Sequence, residues 1–295
     1  MARDGLVVVD KPGGMTSHDV VARIRRLAHT RRVGHGGTLD PMATGVLVIG
    51  VERATRLLTY VIGSEKSYHA TIRLGESTVT DDAEGDVVTR ASAAGVTEEA
   101  VRAAVPAFVG DVDQVPSAVS AIKVNGVRSY KRVRGGEEVD LPARRIRIDR
   151  LEVTGIERQG DVLDVDVEVD CSSGTYVRAI ARDLGVALGV GGHLVALRRT
   201  AVGGFSLAEA ATLDELAERE DPVTLPLEQA VARAFPRRDL DQDAAKVVSH
   251  GGPLSTVGIE GPYAVFGPDG DVLAIVSERD GRARPEVVLR PAGVS

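Results

Sequence analysis

The chain has 295 residues, 43% of them hydrophobic, so it is long enough for one large domain with a buried core and a smaller one. Its single cysteine, Cys171, excludes an internal disulfide framework and is typical of a reducing compartment. The apolar run near the N-terminus covers only residues 6–9, too short for a secretory signal, and no segment approaches the length of a membrane span. These features predict a cytoplasmic protein without a membrane partner.

The net charge of −7 is unevenly distributed along the chain. Residues 1–60 hold nine Lys and Arg against five Asp and Glu, and residues 123–150 hold nine against four. The net negative charge argues against general affinity for nucleic acid, whereas the two basic segments could form a basic patch on an otherwise acidic surface. The same arginines could be scattered over a solvated surface, and the sequence leaves both interpretations open.

The first part of the chain alternates short strands and helices. An apolar run predicts a strand at Leu6–Val9, followed by a helix that Thr16 or Ser17 caps and whose apolar positions share one face. Val46–Val51 indicates a buried strand, and Glu52–Ile62 indicates a helix. These elements predict a mixed α+β architecture.

The later elements are clearer in their periodicity. Residues 66–74 and residues 162–171 alternate apolar and polar side chains, which predicts strands with one buried face. The second of these runs directly into residues 172–185, where serines and a glycine are placed to open a helix. Residues 124–145 show no steady period and are expected to leave the sheet as an excursion. After Pro253, short β-signals and a tight turn are typical of a small barrel.

Asp40 stands alone in GHGGTLDPMATGVLVIG, residues 34–50, between a glycine-rich approach and an apolar run. Asp-Pro is a turn signal, so the side chain of Asp40 could simply bond nearby backbone amides. DPMAT also resembles the Asp-x-x-x-Thr of aspartyl-phosphate enzymes, but these hold Mg²⁺ with further acids, and residues 34–39 do not look like a strand. A metal centre needs clustered ligands, but the six histidines are dispersed. A glycosidase needs a second acid, and no sequence feature pairs Asp40 with another one.

Four motifs occur together and in order: DKPGGMTSHD at 10–19, the segment at 34–50, KSYHATIRLG at 66–75 and CSSGTYVRAIARDLG at 171–185. The set closely resembles the TruB-type tRNA pseudouridine synthases over nearly the whole chain. The resemblance implies an α+β pseudouridine synthase fold, with a mixed, largely antiparallel sheet flanked by helices, in residues 1–232. It also implies a small PUA-like β-barrel for RNA binding in residues 236–295.

The same resemblance implies isomerisation of the T-loop uridine, position 55 of tRNA, to pseudouridine by base flipping. Asp40 would be the nucleophile, Arg178 the arginine paired with it, and Tyr68 the aromatic residue stacked on the flipped uracil. The implied substrate-binding residues are His35, Tyr176, Leu197, Asp82 and, in the excursion that would clamp the T loop, Arg128, Lys131, Arg132 and Arg134. The residues implied to support the site are Lys11, Pro12, Gly34 and Gly37.

This chemistry agrees with the lack of cofactor motifs. Exchanging a carbon–nitrogen for a carbon–carbon glycosidic bond oxidises nothing, so no cofactor and no metal are expected, only a carboxylate in a water-excluding site. Arg178 would keep Asp40 ionised by opposing the upward pKa shift that burial causes. The chain is only 3% aromatic, yet two of its five tyrosines lie in the motifs, which favours stacking on a base.

The implied partner is tRNA, contacted at its T arm and acceptor end by a monomer that takes no guide RNA. Guide-dependent relatives in archaea and eukaryotes are one alternative. A second is an RNA-folding factor with the same surface but no chemistry, which would have no need of an ionised carboxylate in a pocket.

Overall fold

The computed structural model describes residues 3–117, 123–124, 127–128 and 141–293, with only the backbone of the two dipeptides. The strands are β1 (Gly5–Lys11), β2 (Val33–His35), β3 (Thr44–Val51), β4 (Lys66–Leu74), β5 (Glu76–Thr78), β6 (Val87–Arg90), β7 (Gly110–Gln114), β8 (Lys123–Val124), β9 (Val127–Arg128), β10 (Arg144–Gln159), β11 (Val162–Cys171), β12 (Gly192–Val202), β13 (Phe205–Ser206), β14 (Leu225–Pro226), β15 (Arg237–Asp239), β16 (Tyr263–Phe266), β17 (Val272–Arg279) and β18 (Arg282–Val288). The helices are α1 (Ser17–Leu27), α2 (Leu58–Gly63), α3 (Glu98–Ala104), α4 (Val177–Ala187), α5 (Leu213–Ala217), α6 (Leu227–Ala234) and α7 (Gln242–Ser249), with 3₁₀ turns at Glu52–Leu57, Val105–Phe108 and Leu207–Glu209.

One large sheet organises the first 230 residues. Its strand order is β14-β1-β3-β12-β4-β11-β10-β7, with β2 beside β3 and β13 beside β12. Every pairing is antiparallel except β3 with β12, where Arg199 lies opposite Gly45. A Cβ at Gly45 would lie 2.2 Å from the carbonyl oxygen of Arg199, and its φ is +98°, so only glycine permits this close approach. The mixed, largely antiparallel sheet predicted from the family resemblance is confirmed.

The predicted strands and helices are largely where the sequence places them. Thr16 is the N-cap of α1, and α1 buries Val20 and Ile24 in the main core. The helix predicted over Glu52–Ile62 is corrected: its first six residues form a 3₁₀ helix, and only Leu58–Gly63 is α-helical. The serines expected to open α4 are not its caps, because Tyr176 is the N-cap residue and makes no side-chain capping bond.

The C-terminal strands form an open four-stranded sheet in the described residues, in the order β15-β16-β17-β18, where the sequence interpretation expected a small barrel. One face, including Phe266 and Ile275, packs on Leu6 and Val8 of β1. The other face, including Val265, packs against residues of α7 and of the following loop. Because both faces are covered, the apolar surface is buried without closure of the sheet.

The predicted excursion at 124–145 falls mostly outside the described residues. Its far boundary is corrected, because Arg144 and Arg145 already belong to β10 and pair with Gln114 and Asp113 of β7. Across the described ranges, no helix combines the length and the apolar character that crossing a membrane requires.

Candidate active site

A cavity of about 330 Å³ opens where the loop between β2 and β3 faces β4, β12 and the start of α4. Its volume lies at the lower end of the roughly 300–1,000 Å³ typical of small-molecule sites, so it suits a single nucleoside better than a larger ligand. The cavity is lined by Gly37, Thr38, Leu39, Asp40, Ile62, Lys66, Tyr68, Gly174, Thr175, Tyr176, Val177, Arg178, Leu197 and Arg199. The structure thus brings together residues of three of the four sequence motifs.

Asp40 is paired with Arg178 in the wall of this cavity. The guanidinium Nε of Arg178 lies 3.1 Å from Asp40 Oδ2, while its Nη1 lies 3.1 Å from Asp82 Oδ2 and donates to the carbonyl oxygen of Thr80 at 3.0 Å. The side chain of Arg178 is only 7% exposed, whereas that of Asp40 is 37% exposed toward the cavity. Asp82 therefore holds Arg178 through Nη1, while the Nε of Arg178 faces the Asp40 carboxylate, which a ligand in the cavity would meet.

The pKa of Asp40 is raised above its ordinary value of 3.8. Burial is the main cause, and the Arg178 guanidinium opposes the shift while the Asp82 carboxylate adds to it. The expected stabilisation of the ionised form by Arg178 is present, but it does not cancel the cost of burial. Partial desolvation leaves a more basic and less solvated carboxylate, which is a better nucleophile than one in water.

The loop that carries Asp40 is held by side chains from three other elements. Ser17 Oγ of α1 donates to the carbonyl oxygen of Leu39, and the Leu39 amide donates back to the same hydroxyl. Lys11 Nζ at the end of β1 donates to the carbonyl oxygen of Pro41, and Arg199 of β12 donates to those of Gly37 and Thr38. Within the described residues, the carboxylate of Asp40 bonds to no backbone amide, so it does not act as the turn-capping group that its Asp-Pro context permits.

Lys11 is fully buried and bridges two segments. Its ammonium also donates to the carbonyl oxygens of Pro12 at 2.8 Å and Met15 at 2.6 Å. Burial lowers its pKa, and the Asp40 carboxylate opposes that shift. Such contacts are what Lys11 and Pro12 need in order to brace the loop that carries Asp40. Pro12 itself does not line the cavity.

Replacing Lys11 by methionine should lower the free energy of unfolding by about 2 kcal/mol, because three carbonyl oxygens lose their donor in a buried site. Denaturant unfolding of the variant measures this change. The exposed Lys246 of α7, replaced in the same way, is the matched control and should stay within about 0.5 kcal/mol of the wild type. Equal stability of both variants would contradict the bracing role.

Tyr68, Tyr176 and Leu197 all line the cavity, as their predicted substrate contacts require. Tyr68 is 7% exposed on β4, and burial raises the pKa of its phenol. The backbone of Tyr176 is fixed by Gln114, whose side-chain amide accepts from its N–H and donates to its C=O. Leu197 lies on β12 directly opposite Ala70 of β4.

His35 lies on β2 outside the cavity lining. Its ring meets that of His18 edge-on at a centroid distance of 5.4 Å, and its buried Nδ1 has no partner among the described residues. Burial and the neighbouring His18 lower its pKa, which favours the neutral imidazole. Gly34 packs against Leu58, and Gly37 has a φ of +102° at the turn that leads to Asp40.

The structure corrects the role expected for Asp82. This residue is 2% exposed, its carboxylate accepts from Arg178, from the Thr80 hydroxyl and from the Glu84 amide, and it does not line the cavity. Its position behind Arg178 indicates a supporting part. The predicted phosphate contacts Lys131, Arg132 and Arg134 lie outside the described residues, as does the side chain of Arg128.

Two charged residues of the cavity were not predicted from the sequence, namely Lys66 and Arg199. Lys66 Nζ donates to the carbonyl oxygens of Ile62 and Ser64 at the end of α2, and burial lowers its pKa to about 8. In the LRRT segment at 197–200, adjacent arginines on one strand must point to opposite faces, and this was the available signal that one of them is buried.

Three family models match the chain in succession. The TruB family pseudouridylate synthase N-terminal domain covers residues 25–177, the tRNA pseudouridylate synthase B C-terminal domain covers 178–232, and the tRNA pseudouridine synthase II C-terminal domain covers 235–290. Curated proteins named tRNA pseudouridine synthase B are also similar over their full length. That of Mycolicibacterium paratuberculosis is 60% identical with 99% of each chain covered, and that of Arthrobacter sp. is 57% identical with 98% of this chain and 97% of the relative covered.

Two solved structures share the fold over almost the whole chain. A Cbf5-Nop10-Gar1 complex aligns with a TM-score of 0.73 and 27% identity, covering 97% of this chain and 85% of the other. An H/ACA RNP bound to a substrate RNA containing 2′-deoxyuridine aligns with a TM-score of 0.72 and 25% identity, covering 98% and 86%. With a family model matching more than half of its residues and relatives near 60% identity, the chain belongs to the TruB family of pseudouridylate synthases.

Proposed function

We propose that this protein isomerises the T-loop uridine of tRNA, position 55, to pseudouridine, with Asp40 as the nucleophile. The observation that carries the proposal is the pairing of Asp40 with Arg178 in the wall of a nucleoside-sized cavity. The relatives named tRNA pseudouridine synthase B support tRNA as the substrate, because they align with this chain from end to end.

The cavity offers what the isomerisation needs. A uridine inside a folded T loop must leave its stack to reach Asp40, and the tyrosines Tyr68 and Tyr176 provide aromatic surface for the extruded base. The carboxylate then forms a covalent bond with the nucleotide, which releases the C1′–N1 bond and allows the uracil to turn. A bond from C1′ to C5 replaces it, and the bond to Asp40 breaks, which restores the free carboxylate. The proton at C5 is lost to solvent and N1 takes up one proton, so the product is an isomer of the substrate.

The supporting residues follow from the same geometry. Arg178 holds the carboxylate and opposes its protonation, while Leu197 and Ile62 contribute apolar surface that excludes water from the bond exchange. We propose that residues 1–232 carry this chemistry as a catalytic domain. Residues 236–295 would contact the acceptor end of tRNA, and the basic side chains of the excursion at 124–145 would contact phosphates of the T arm, without a guide RNA.

Tritium release tests the proposal directly. A tRNA transcript labelled at C5 of uracil should lose one tritium per molecule, because only the new carbon–carbon bond displaces that atom. We expect release with purified protein alone, undiminished by a chelator and without nucleotide triphosphate. A T-arm stem-loop should also react, and a transcript with cytidine at the T-loop position should not.

Each outcome has a clear meaning for the assignment. Reaction only with ribosomal RNA would contradict the tRNA substrate, and release from another tRNA position would contradict the T-loop assignment. If a chelator abolishes activity on a T-arm stem-loop that remains folded in its presence, the cofactor-free mechanism is contradicted.

A further inference from the structure

Arg199 is the largest fully buried side chain of the described residues, at 1% exposure, although it carries a charge. Its Nε donates to the carbonyl oxygen of Val46 at 2.8 Å, its Nη2 to that of Gly37 at 3.1 Å and its Nη1 to that of Thr38 at 3.4 Å. A single guanidinium therefore joins strand β3 to the loop that carries Asp40.

The same side chain lies beside Tyr68. Arg199 on β12 and Tyr68 on β4 are direct cross-strand partners, and both line the cavity. The guanidinium is near enough to the phenol to oppose the rise in the pKa of Tyr68 that burial causes. Since Gly45 fixes the backbone of Arg199 against β3, the position of this guanidinium is set by two neighbouring strands.

In the part of the chain that the structure describes, the charge of Arg199 is not balanced by a direct ion pair. Among the described residues no carboxylate lies within ion-pair distance, whereas Arg198, next to it, pairs with Asp10 at 2.7 Å and is 40% exposed. A buried, unpaired arginine is costly, and a merely structural brace could be built from neutral donors. The cost is understandable if the positive charge acts on the groups around the cavity.

We propose that Arg199 is a positioning residue for the isomerisation, which holds the Asp40 loop next to the Tyr68 side chain and biases the cavity toward the ionised carboxylate. The inference rests on the function proposed above and extends it to a residue that the sequence analysis did not select. It predicts that the hydrogen bonds donated by the Arg199 guanidinium and its positive charge both contribute to the reaction rate, and that the two contributions can be separated.

The guanidinium opposes the upward pKa shifts that burial causes in Asp40 and Tyr68. The contribution of its charge can therefore be measured from the pH dependence of the rate. The other charged or titratable groups around these two residues are Arg178 of α4, Asp82 and Glu84 of the turn after β5, Lys11 of β1 and Cys171 of β11, and Lys66 of β4 interacts with Arg199 itself. All of these stay in place when only Arg199 is changed. Removing its charge therefore moves the acid limb of the rate profile to higher pH.

Single-turnover tritium release from labelled tRNA should be measured against pH for Arg199→Lys, Arg199→Met and the wild type. We expect a loss of about 100-fold in both variants at neutral pH with tRNA affinity unchanged, because a misplaced Asp40 loop costs that order in rate. The acid limb should move upward in Arg199→Met and stay near the wild-type position in Arg199→Lys. Arg198→Met, on the opposite face of β12, is the matched control.

The lysine variant keeps the proposal testable if the methionine variant does not fold. Wild-type rates per folded molecule in Arg199→Lys, or a loss explained entirely by weaker tRNA binding, would overturn it. An acid limb that moves equally in both variants would overturn the role of the charge. A wild-type protein that forms no pseudouridine would instead refute the proposed function, so the two failures are distinguishable.

Discussion

Asp40→Asn should abolish pseudouridine formation, lowering the single-turnover rate by about 10⁴-fold or more, as expected when a nucleophile is removed. Asparagine has nearly the same shape as aspartate, but its amide oxygen carries no charge and forms no covalent bond with the nucleotide. Folding should not suffer. Burial raises the pKa of Asp40, so a neutral side chain of the same size avoids a cost that the carboxylate meets.

The readouts are tritium release, tRNA affinity by filter binding and the thermal unfolding midpoint. We expect loss of the first with little change in the other two. The exposed Asp214 of α5, replaced in the same way, serves as the control for the chemical change itself. Turnover retained in Asp40→Asn would remove the mechanism, whereas a wild-type protein that only binds and refolds tRNA would favour the RNA-folding factor.

Much of the fold could be predicted because periodicity reports burial directly. Residues 66–74 and 162–171 alternate with a period of two, and they form β4 and β11, adjacent strands whose inward side chains include Tyr68 opposite Val169. Thr16, one of the two residues predicted to cap the first helix, likewise is the N-cap of α1. Local signals were sufficient wherever one face of an element is buried and the other is not.

The sequence was less informative where long-range contacts decide the structure. Phe266 and its neighbours in β16 are all buried, and an uninterrupted apolar run does not reveal whether a sheet closes on itself or packs between two layers. Asp82 was expected among the substrate-binding residues, and its burial could not be predicted because Arg178, which pairs with it, is 96 residues away along the chain. Its burial follows from the sheet topology, which no local pattern encodes.

The candidate site shows the same division. The family resemblance selected Asp40, Tyr68 and Arg178 by their motifs, and the fold brings them to one cavity. It did not select Arg199, although that residue donates to the loop that carries Asp40 and lies directly opposite Tyr68 in the sheet. A motif identifies the groups that meet the ligand more readily than the groups that hold them in place.

Arg178→Met should have the second largest effect, on both activity and stability. The rate should fall by about 10³-fold, because Asp40 loses the donor that orients it and opposes its protonation. The free energy of unfolding at neutral pH should fall by about 3–5 kcal/mol, since the 2% exposed Asp82 is left without its cation. Arg178→Lys keeps the charge but cannot reach both carboxylates and Thr80 at once, so it should recover part of the stability and little of the activity.

The cause of the instability is testable through pH and through a second substitution. An unpaired buried carboxylate has a raised pKa in the folded state, so the folded variant binds more protons than the unfolded one. Its loss in free energy of unfolding relative to the wild type should therefore shrink as the pH falls toward the ordinary pKa of aspartate. Adding Asp82→Asn to Arg178→Met should restore most of the stability at neutral pH while the activity stays low. If the double variant is no more stable than Arg178→Met, the stability does not depend on pairing between Arg178 and Asp82. If it regains activity, Arg178 acts on Asp40 only by holding the fold together, and its contact with the carboxylate has no part in the reaction.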